Sequence, residues 1–118
     1  MTYTVEQIAF TALESPFNVT FSGGDPFLQA SELLAVCKLL KPYKNIWVYT
    51  GYTYEELMID PIKRSVLDYI DVLVDGKYIA ELNDGKQWFK GSSNQRIIDC
   101  RMSSMLRKVV LYEKSALY

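Results

Sequence analysis

The stretch Val19-Thr20-Phe21-Ser22-Gly23-Gly24-Asp25-Pro26 decides how the rest of this sequence is interpreted. Residues 19–21 are typical of a short buried strand, and residues 22–26 predict a tight polar turn at its carboxyl end. The two glycines have no Cβ, so the backbone can reach positive φ and a ligand can approach the peptide groups closely. Asp25 adds a carboxylate, and Pro26 keeps the strand from continuing. The turn suits the amine end of a small ligand, and it equally fits an ordinary connection with Asp25 in solvent.

Size and charge narrow the class of protein. The chain of 118 residues predicts a single domain over residues 1–118, and a hydrophobic fraction of 49% is enough to build a core. The net charge of −1, with no basic face, argues against nucleic acid as the main partner. No apolar run approaches the roughly 20 residues that span a bilayer, and residues 1–4 lack the pattern of a signal peptide. A cytoplasmic protein without a membrane partner is therefore expected.

Histidine is absent, and its absence excludes several kinds of site. Neither Ser-His-Asp nor Cys-His catalysis is possible with this chain's own residues, and the commonest metal ligand is missing. Cys37 and Cys100 are the only cysteines, and their separation fits neither a zinc site nor an iron–sulfur site. Both are predicted to be buried free thiols. Composition therefore assigns no catalytic residue and no metal ligand.

Helix and strand signals alternate along the first two thirds of the chain. The first predicted helix is opened by a Thr4/Gln7 capping box and ends at Ser15-Pro16, and strand 18–21 follows it. The next helix is capped by Ser31 and closed by Pro42, and it leads to strand 46–49. A Thr53/Glu56 capping box then opens a helix that runs through Met58, a further helix starts at Asp60-Pro61 and runs towards Ile70, and strand 72–74 follows.

The last third of the sequence predicts two further strands, at 96–99 and 108–111. Between them, Met102, Met105 and Leu106 indicate a helical turn or loop with an apolar face. The strands are short continuous apolar runs rather than alternating ones, which is typical of a parallel sheet covered by helices. The fold class predicted from the sequence is α/β with a mostly parallel sheet.

Three strand ends carry glycine together with polar side chains: residues 22–25, 50–52 and 75–77. Ligands of parallel β/α folds gather at the carboxyl ends of the strands. A polar exit turn is also what any buried strand requires. Three such turns on one rim fit a binding site as well as they fit ordinary connections.

Four phrases of the sequence resemble, in the same order, the anaerobic ribonucleoside-triphosphate reductase activating proteins, which are radical S-adenosylmethionine enzymes. The phrases are Val-Thr-Phe-Ser-Gly-Gly-Asp-Pro at 19–26, Asn-Ile-Trp-Val-Tyr-Thr-Gly-Tyr at 45–52, Ile-Asp-Val-Leu-Val-Asp-Gly-Lys at 70–77 and Lys-Gly-Ser-Ser-Asn-Gln at 90–95. The likeness covers most of the chain. It implies a partial β/α barrel of the radical S-adenosylmethionine type.

The resemblance also implies a chemistry and a partner. In such enzymes a reduced 4Fe-4S cluster passes an electron to S-adenosylmethionine, and the resulting 5′-deoxyadenosyl radical takes a hydrogen from a glycine of the partner. The implied partner is the glycyl-radical subunit of an anaerobic ribonucleotide reductase. Another glycyl-radical enzyme remains an alternative, although the phrases at 45–52 and 90–95 favour the reductase.

The resemblance assigns roles to particular residues. Ser22, Gly23, Gly24 and Asp25 match the family's contact to the methionyl amine of S-adenosylmethionine. Thr50 and Gly51 lie at the next strand end, where such enzymes touch the nucleoside or methionyl part of that ligand.

Two weaker assignments follow from the later phrases. Asp75 and Lys77 resemble an Asp-x-Lys pair near the same ligand, and a solvated turn fits them equally well. Ser92, Ser93 and Asn94 belong to a loop that either lines the site, contacts the partner or satisfies local backbone groups.

The sequence departs from the family in one respect, because it has no C-x-x-x-C-x-x-C cluster loop. A 4Fe-4S cluster needs thiolate ligands, and two distant cysteines cannot replace three neighbouring ones. We expect that the family's first strand and cluster loop lie before Met1 in a longer form, and that the chain as written does not generate the radical. The alternative is a degenerate relative that acts as a non-catalytic S-adenosylmethionine- or reductase-binding module.

The family's first strand would pair with the strand at 19–21, and it is absent from this sequence. The unpaired edge of the strand at 19–21 would expose backbone hydrogen-bonding groups. We expect a second copy of the chain, the N-terminal segment or another neighbour to cover it, which makes self-association through this edge a possibility.

Overall fold

The computed structural model describes residues 19–21, 24–83, 85 and 90–113. The predicted helix opened by Thr4, and the candidate residues Ser22 and Gly23, lie outside these ranges. The described elements are strand β1 (Val19–Phe21), a 3₁₀ helix (Pro26–Gln29), helix α1 (Ala30–Leu40), strand β2 (Ile46–Tyr49), helices α2 (Tyr54–Ile59) and α3 (Pro61–Leu67), strand β3 (Val72–Asp75), a 3₁₀ turn (Ala80–Leu82), strand β4 (Arg96–Asp99) and helix α4 (Cys100–Leu106).

The four strands form one sheet in the order β1-β2-β3-β4. The pairs β1–β2 and β2–β3 are parallel, and β4 joins β3 antiparallel with Asp75 opposite Arg96. The expected α/β class with a mostly parallel sheet is therefore confirmed. Among the described strands, β1 pairs only with β2, so the expectation about its outer edge stays a prediction.

The side chains of each strand alternate between the two faces of the sheet, and both faces carry apolar residues. One face packs on the helices through a core that includes Leu40, Ile46, Leu57 and Leu73, all fully buried. The opposite face carries a second cluster, Val72, Val74 and Ile97, against which Trp47, Tyr49 and Tyr112 pack. Continuous apolar strands are explained by this arrangement, since both faces of the sheet bury apolar side chains.

Local capping signals set two helix starts as predicted. Thr53 and Glu56 form a complete capping box, with bonds of 3.1 Å from Glu56 N–H to the Thr53 hydroxyl and 2.9 Å from Thr53 N–H to the Glu56 carboxylate. Asp60 accepts from the Ile62 and Lys63 N–H groups and caps α3, whose first residue is Pro61. Helix α3 ends at Leu67, short of Ile70, and Asp68 is its C-cap residue.

The prediction that Ser31 caps the second helix was wrong. A 3₁₀ helix capped by Asp25 begins at Pro26 and runs directly into α1, so Ser31 lies inside the helix and is exposed. Asp25 rather than Ser31 therefore caps this helical segment.

The region after β4 contains a helix, but its orientation differs from the simplest expectation. Met102, Met105 and Leu106 of α4 are all exposed, whereas Cys100 and Ser103 are buried. Ser103 points inward because its hydroxyl accepts the Val110 N–H at 2.8 Å.

The predicted strand at 108–111 is reduced to a single bridge. Leu111 pairs with Ile98 in an antiparallel bridge. On either side of it, the Asp99 N–H donates to Val110 and the Tyr112 N–H donates to Ile97.

The two cysteines are buried free thiols, as predicted. Burial raises the pKa of Cys37 to about 12, and burial also raises the pKa of Cys100. Both thiols therefore remain protonated at neutral pH and act as small apolar core residues.

Candidate functional site

A shallow cavity of about 190 Å³ lies at the carboxyl edge of the parallel strands. Asp25, Thr50, Gly51, Gly76 and Gln95, together with Tyr49 and Tyr78, line it. We call the first five residues the rim. Three strand ends thus meet at one place, as the polar exit turns predicted.

The Asp25 carboxylate connects the first turn to the end of β2. Its Oδ1 accepts the Phe27 N–H at 3.0 Å, its Oδ2 accepts the Gly51 N–H at 2.9 Å, and the Thr50 hydroxyl lies 2.9 Å from both oxygens. A carboxylate offers about four acceptor positions, and the Thr50 hydroxyl has one proton to donate. Counting the donors among the described residues, about one position on the half-buried Asp25 carboxylate is therefore left for a ligand donor.

Gly24 and Gly51 differ in what their lack of a side chain achieves. A Cβ at Gly24, which is exposed, would meet no atom within 4 Å. A Cβ at Gly51 would lie 3.6 Å from Asp25 Oδ2, which is an ordinary contact. Packing within the described residues thus requires glycine at neither position.

Asp75 lies close to the rim but is not exposed to it. It is 1% exposed and forms a two-pronged ion pair with Arg96, through bonds of 3.1 Å from Nε and 2.6 Å from Nη2. It also accepts the Tyr54 N–H at 2.7 Å, at the start of α2. The Arg96 Nη2 reaches Glu55 on α2 as well, at 2.6 Å. Asp75 therefore connects β3, β4 and α2.

Asp75 and Lys77 are two residues apart, but Asp75 is buried and Lys77 is exposed. The Lys77 carbonyl oxygen accepts the Asn94 side-chain amide at 2.8 Å. The partner of the Asp75 side chain is Arg96, and the role of Asp75 and Lys77 near a ligand stays a prediction.

The loop that contains Ser92, Ser93 and Asn94 packs against the strand exit at 76–79. The buried Ser92 hydroxyl accepts the Ile79 N–H at 3.1 Å and donates to Asn94 Oδ1 at 2.6 Å. Ser93 is exposed, and its N–H donates to the Leu82 carbonyl oxygen. The Ser92 hydroxyl and the Asn94 amide thus bond backbone groups of the strand exit, and a role of the loop towards a ligand or a partner stays a prediction.

Gln95 holds this loop to the rim and was not singled out from the sequence. Its Oε1 accepts the N–H groups of Gly91 and Ser92 at 2.8 and 3.1 Å, and its Nε2 donates to the Gly76 carbonyl oxygen at 2.9 Å. Gly76 has a φ of +97°, a conformation that favours glycine. The signal available in the sequence was the place of Gln95 at the end of the phrase at 90–95, directly before an apolar strand.

Comparison with known proteins places the chain in a family. A family model described as "4Fe-4S single cluster domain" matches residues 2–98. The chain belongs to this 4Fe-4S single cluster domain family. No solved structure matches the chain.

The relatives of the chain have a consistent name. Proteins named anaerobic ribonucleoside-triphosphate reductase-activating protein are 43% identical over 84 residues in Pasteurella multocida and 46% identical over 84 residues in Haemophilus influenzae. Each of these alignments covers 67% of this chain and 53% of the relative. The protein of that name from Enterobacteria phage T4 is 36% identical over 100 residues, covering 80% of this chain and 61% of the relative. The resemblance found in the four phrases is therefore confirmed, and the chain spans about half the length of the curated relatives it matches.

The side chains of this member do not fit a 4Fe-4S cluster. Such a cluster is bound by thiolates, and the sequence contains two cysteines, both buried in the same core cluster with raised pKa values. Within the ranges that the structure describes, no group of three potential metal ligands occurs. We therefore assign no cluster ligand to this chain.

None of the described helices has the length and apolar character to cross a bilayer.

Proposed function

We propose that this chain is the S-adenosylmethionine-binding and partner-docking part of an activating protein for anaerobic ribonucleoside-triphosphate reductase, built on a partial β/α barrel of the radical S-adenosylmethionine type. The names of the relatives support the partner. One observation of the structure supports the ligand. The Asp25 carboxylate lies at the carboxyl edge of the parallel strands, fixed by Thr50 and Gly51, with about one acceptor position unused.

Each rim residue has a role in this proposal. Asp25 accepts a hydrogen bond from the ligand's ammonium group, a charge-assisted bond that is stronger than a neutral one. Thr50 and Gly51 hold the carboxylate in place and leave the backbone at the second strand end open to the ligand. The cavity of about 190 Å³ is smaller than a site for a whole nucleoside ligand, so it receives the methionyl end alone. Ser22, Gly23 and Gly24 extend the same contact along the first turn.

The proposal gives this chain no electron-transfer step, because its side chains do not provide cluster ligands. Formation of the glycyl radical on the reductase is assigned to a longer form that carries the three-cysteine loop. In such a form the cluster supplies the electron that cleaves S-adenosylmethionine.

Replacing Asp25 with asparagine tests the ligand site. We expect the D25N variant to bind S-adenosylmethionine about 10- to 100-fold more weakly, because a hydrogen bond to a charged group contributes about 1.5–3 kcal/mol. Isothermal titration calorimetry measures this change.

The matched control for D25N is D60N. Asp60 also caps a helix with its carboxylate, but it does not line the rim. D60N is expected to lose about 0.3–1 kcal/mol of stability because the negative charge at the start of a helix is removed. D25N is expected to lose more, because asparagine has one acceptor oxygen and cannot accept from both the Phe27 and the Gly51 N–H groups. Only D25N is expected to lose affinity. Equal binding by wild type and D25N would remove Asp25 from the site.

The alternative function is a non-catalytic module that binds S-adenosylmethionine or the reductase, and the number of cysteines is the observation that favours it. Anaerobic reconstitution with iron and sulfide separates the two. We expect this chain to bind S-adenosylmethionine without taking up a cluster or cleaving the ligand, and a longer form with the cysteine loop to do both. If the longer form does neither, the non-catalytic module is the better description.

A further inference from the structure

A second and larger cavity, of about 700 Å³, lies on the helical side of the molecule. Its lining comes from α2, α3, α4 and the residues that follow α4. No residue lines both this cavity and the cavity at the rim. Five of its lining residues, Ser103, Ser104, Arg107, Lys108 and Val109, follow residue 98, where the family match ends. We call it the helical cavity, and neither the proposed function nor the family match accounts for it.

The charges around the helical cavity are unbalanced. Arg64, Arg107 and Lys108 line it, and none of them has a carboxylate oxygen within 4.0 Å among the described residues. Of the two carboxylates in the lining, Glu55 is already paired with Arg96, whereas Asp68 is unpaired within the described residues.

The backbone adds a smaller, opposing effect. Helices α3 and α4 end beside the cavity, and each carboxyl end carries a partial charge of about −0.5 at most. Arg96 carries one positive charge and is shared between Glu55 and Asp75, so it does not neutralise Glu55 fully. The lining side chains carry three positive charges against two carboxylates. They therefore have an excess of one positive charge, which the two helix ends reduce, on a chain whose net charge is −1.

The rest of the lining is apolar or hydroxylic. Met58, Leu67 and Val109 provide apolar surface, and the exposed Ser104 provides a hydroxyl group. A volume of about 700 Å³ lies within the usual range of about 300–1,000 Å³ for small-molecule sites. The lining thus matches a ligand with an anionic end and an apolar or aromatic body.

We propose that the helical cavity binds an organic phosphate of nucleotide size. Arg107, Lys108 and Arg64 contact the phosphate groups, and Met58, Leu67 and Val109 contact the apolar part. This site does not depend on the function proposed for the rim, because the two cavities have separate linings.

Titration with ATP as the probe tests the proposal. The double variant R107N/K108Q is expected to bind ATP at least about tenfold more weakly than wild type, because charge-assisted contacts to phosphate are lost. Asparagine is chosen for Arg107 because that residue has a φ of 54°, which asparagine tolerates. The matched control is R101Q, since Arg101 lies on α4 but does not line the cavity, and its affinity is expected to change less than about twofold.

Two further measurements locate the ligand and test its apolar part. Replacing Ser104 with phenylalanine keeps every charge and occupies part of the cavity, so it is expected to weaken ATP binding. Amide chemical-shift changes caused by ATP are expected at residues 103–109 and not at Gly51 or Gly76. Tripolyphosphate, which lacks the nucleoside, is expected to bind more weakly than ATP.

Several results would overturn the proposal. These are no ATP binding at millimolar concentration, equal weakening by R101Q and R107N/K108Q, full binding by S104F, shifts centred on the rim, or equal affinity for tripolyphosphate and ATP. None of these results bears on S-adenosylmethionine binding by D25N, so the two proposals fail separately.

Discussion

Replacing Arg96 with methionine is expected to reduce the free energy of unfolding by about 3 kcal/mol. Arg96 is the cation beside the Asp75 carboxylate, which is 1% exposed. Removing one partner of a buried ion pair leaves an uncompensated charge, at a cost of about 3–5 kcal/mol. The lower end applies because the Arg96 side chain is 33% exposed and water can partly replace it. Urea denaturation followed by circular dichroism measures the change.

A second variant separates the charge effect from lost packing. In D75N/R96M the buried charge is gone, while asparagine still accepts the Tyr54 N–H. We expect this double variant to recover at least about half of the loss, because pairs replaced together cost less than pairs that are broken. If D75N/R96M is no more stable than R96M, the cost lies in packing rather than in the unpaired charge.

E55Q is the control for the exposed arm of the same network. Glu55 is 62% exposed, and a surface ion pair contributes about 0.2–1 kcal/mol. The hydrogen bond from Arg96 lowers the pKa of Glu55. A lowered pKa in the folded state means that the stabilisation is complete above the usual glutamate range and is lost as the pH falls through the folded value. The stability difference between wild type and E55Q should therefore disappear in acid.

Replacing Gln95 with leucine is expected to reduce stability by about 2–3 kcal/mol and to open the loop at 91–95. Leucine has a similar volume but cannot bond the Gly91 and Ser92 N–H groups or the Gly76 carbonyl oxygen. Each buried unpaired group costs about 1–3 kcal/mol, and water entering the opened loop limits the sum. Amide hydrogen exchange should accelerate at residues 91–95, and denaturation gives the total loss.

S93A is the control for Q95L, because Ser93 belongs to the same loop but its side chain is exposed. Its stability should stay within about 0.5 kcal/mol of wild type. Q95L should also weaken S-adenosylmethionine binding, since Gln95 and Gly76 belong to the rim. Unchanged exchange rates in Q95L would show that Gln95 does not hold the loop.

The parts of the fold that were predictable depend on short-range signals. The capping box of Thr53 and Glu56 joins residues three positions apart, and Asp60 caps α3 through its second and third neighbours. Ser31 shows the limit of such signals. Its capping potential is real, but Asp25 and Pro26 start a helical segment earlier, so no free N–H groups remain at Ser31 for it to cap.

The candidate site was predictable in place but not in detail. Glycine and polar residues after consecutive buried strands indicated the rim, because parallel strands bring their carboxyl ends to one edge. The sequence did not show that Asp75 would be buried against Arg96. That pair depends on β4 joining β3 antiparallel with those two residues opposite each other.

By itself, the sequence determined the α/β class, the bounds of most strands, the inert cysteines and the family resemblance, because each of these rests on residue type and near neighbours along the chain. The tertiary structure alone decided which carboxylate faces the rim and which is buried. Asp25 meets Thr50 across 25 residues, and Arg96 meets Asp75 across 21 and Glu55 across 41. Such contacts form only when sheet register and helix packing bring distant segments together, so the free energy that fixes them is not present in any local stretch.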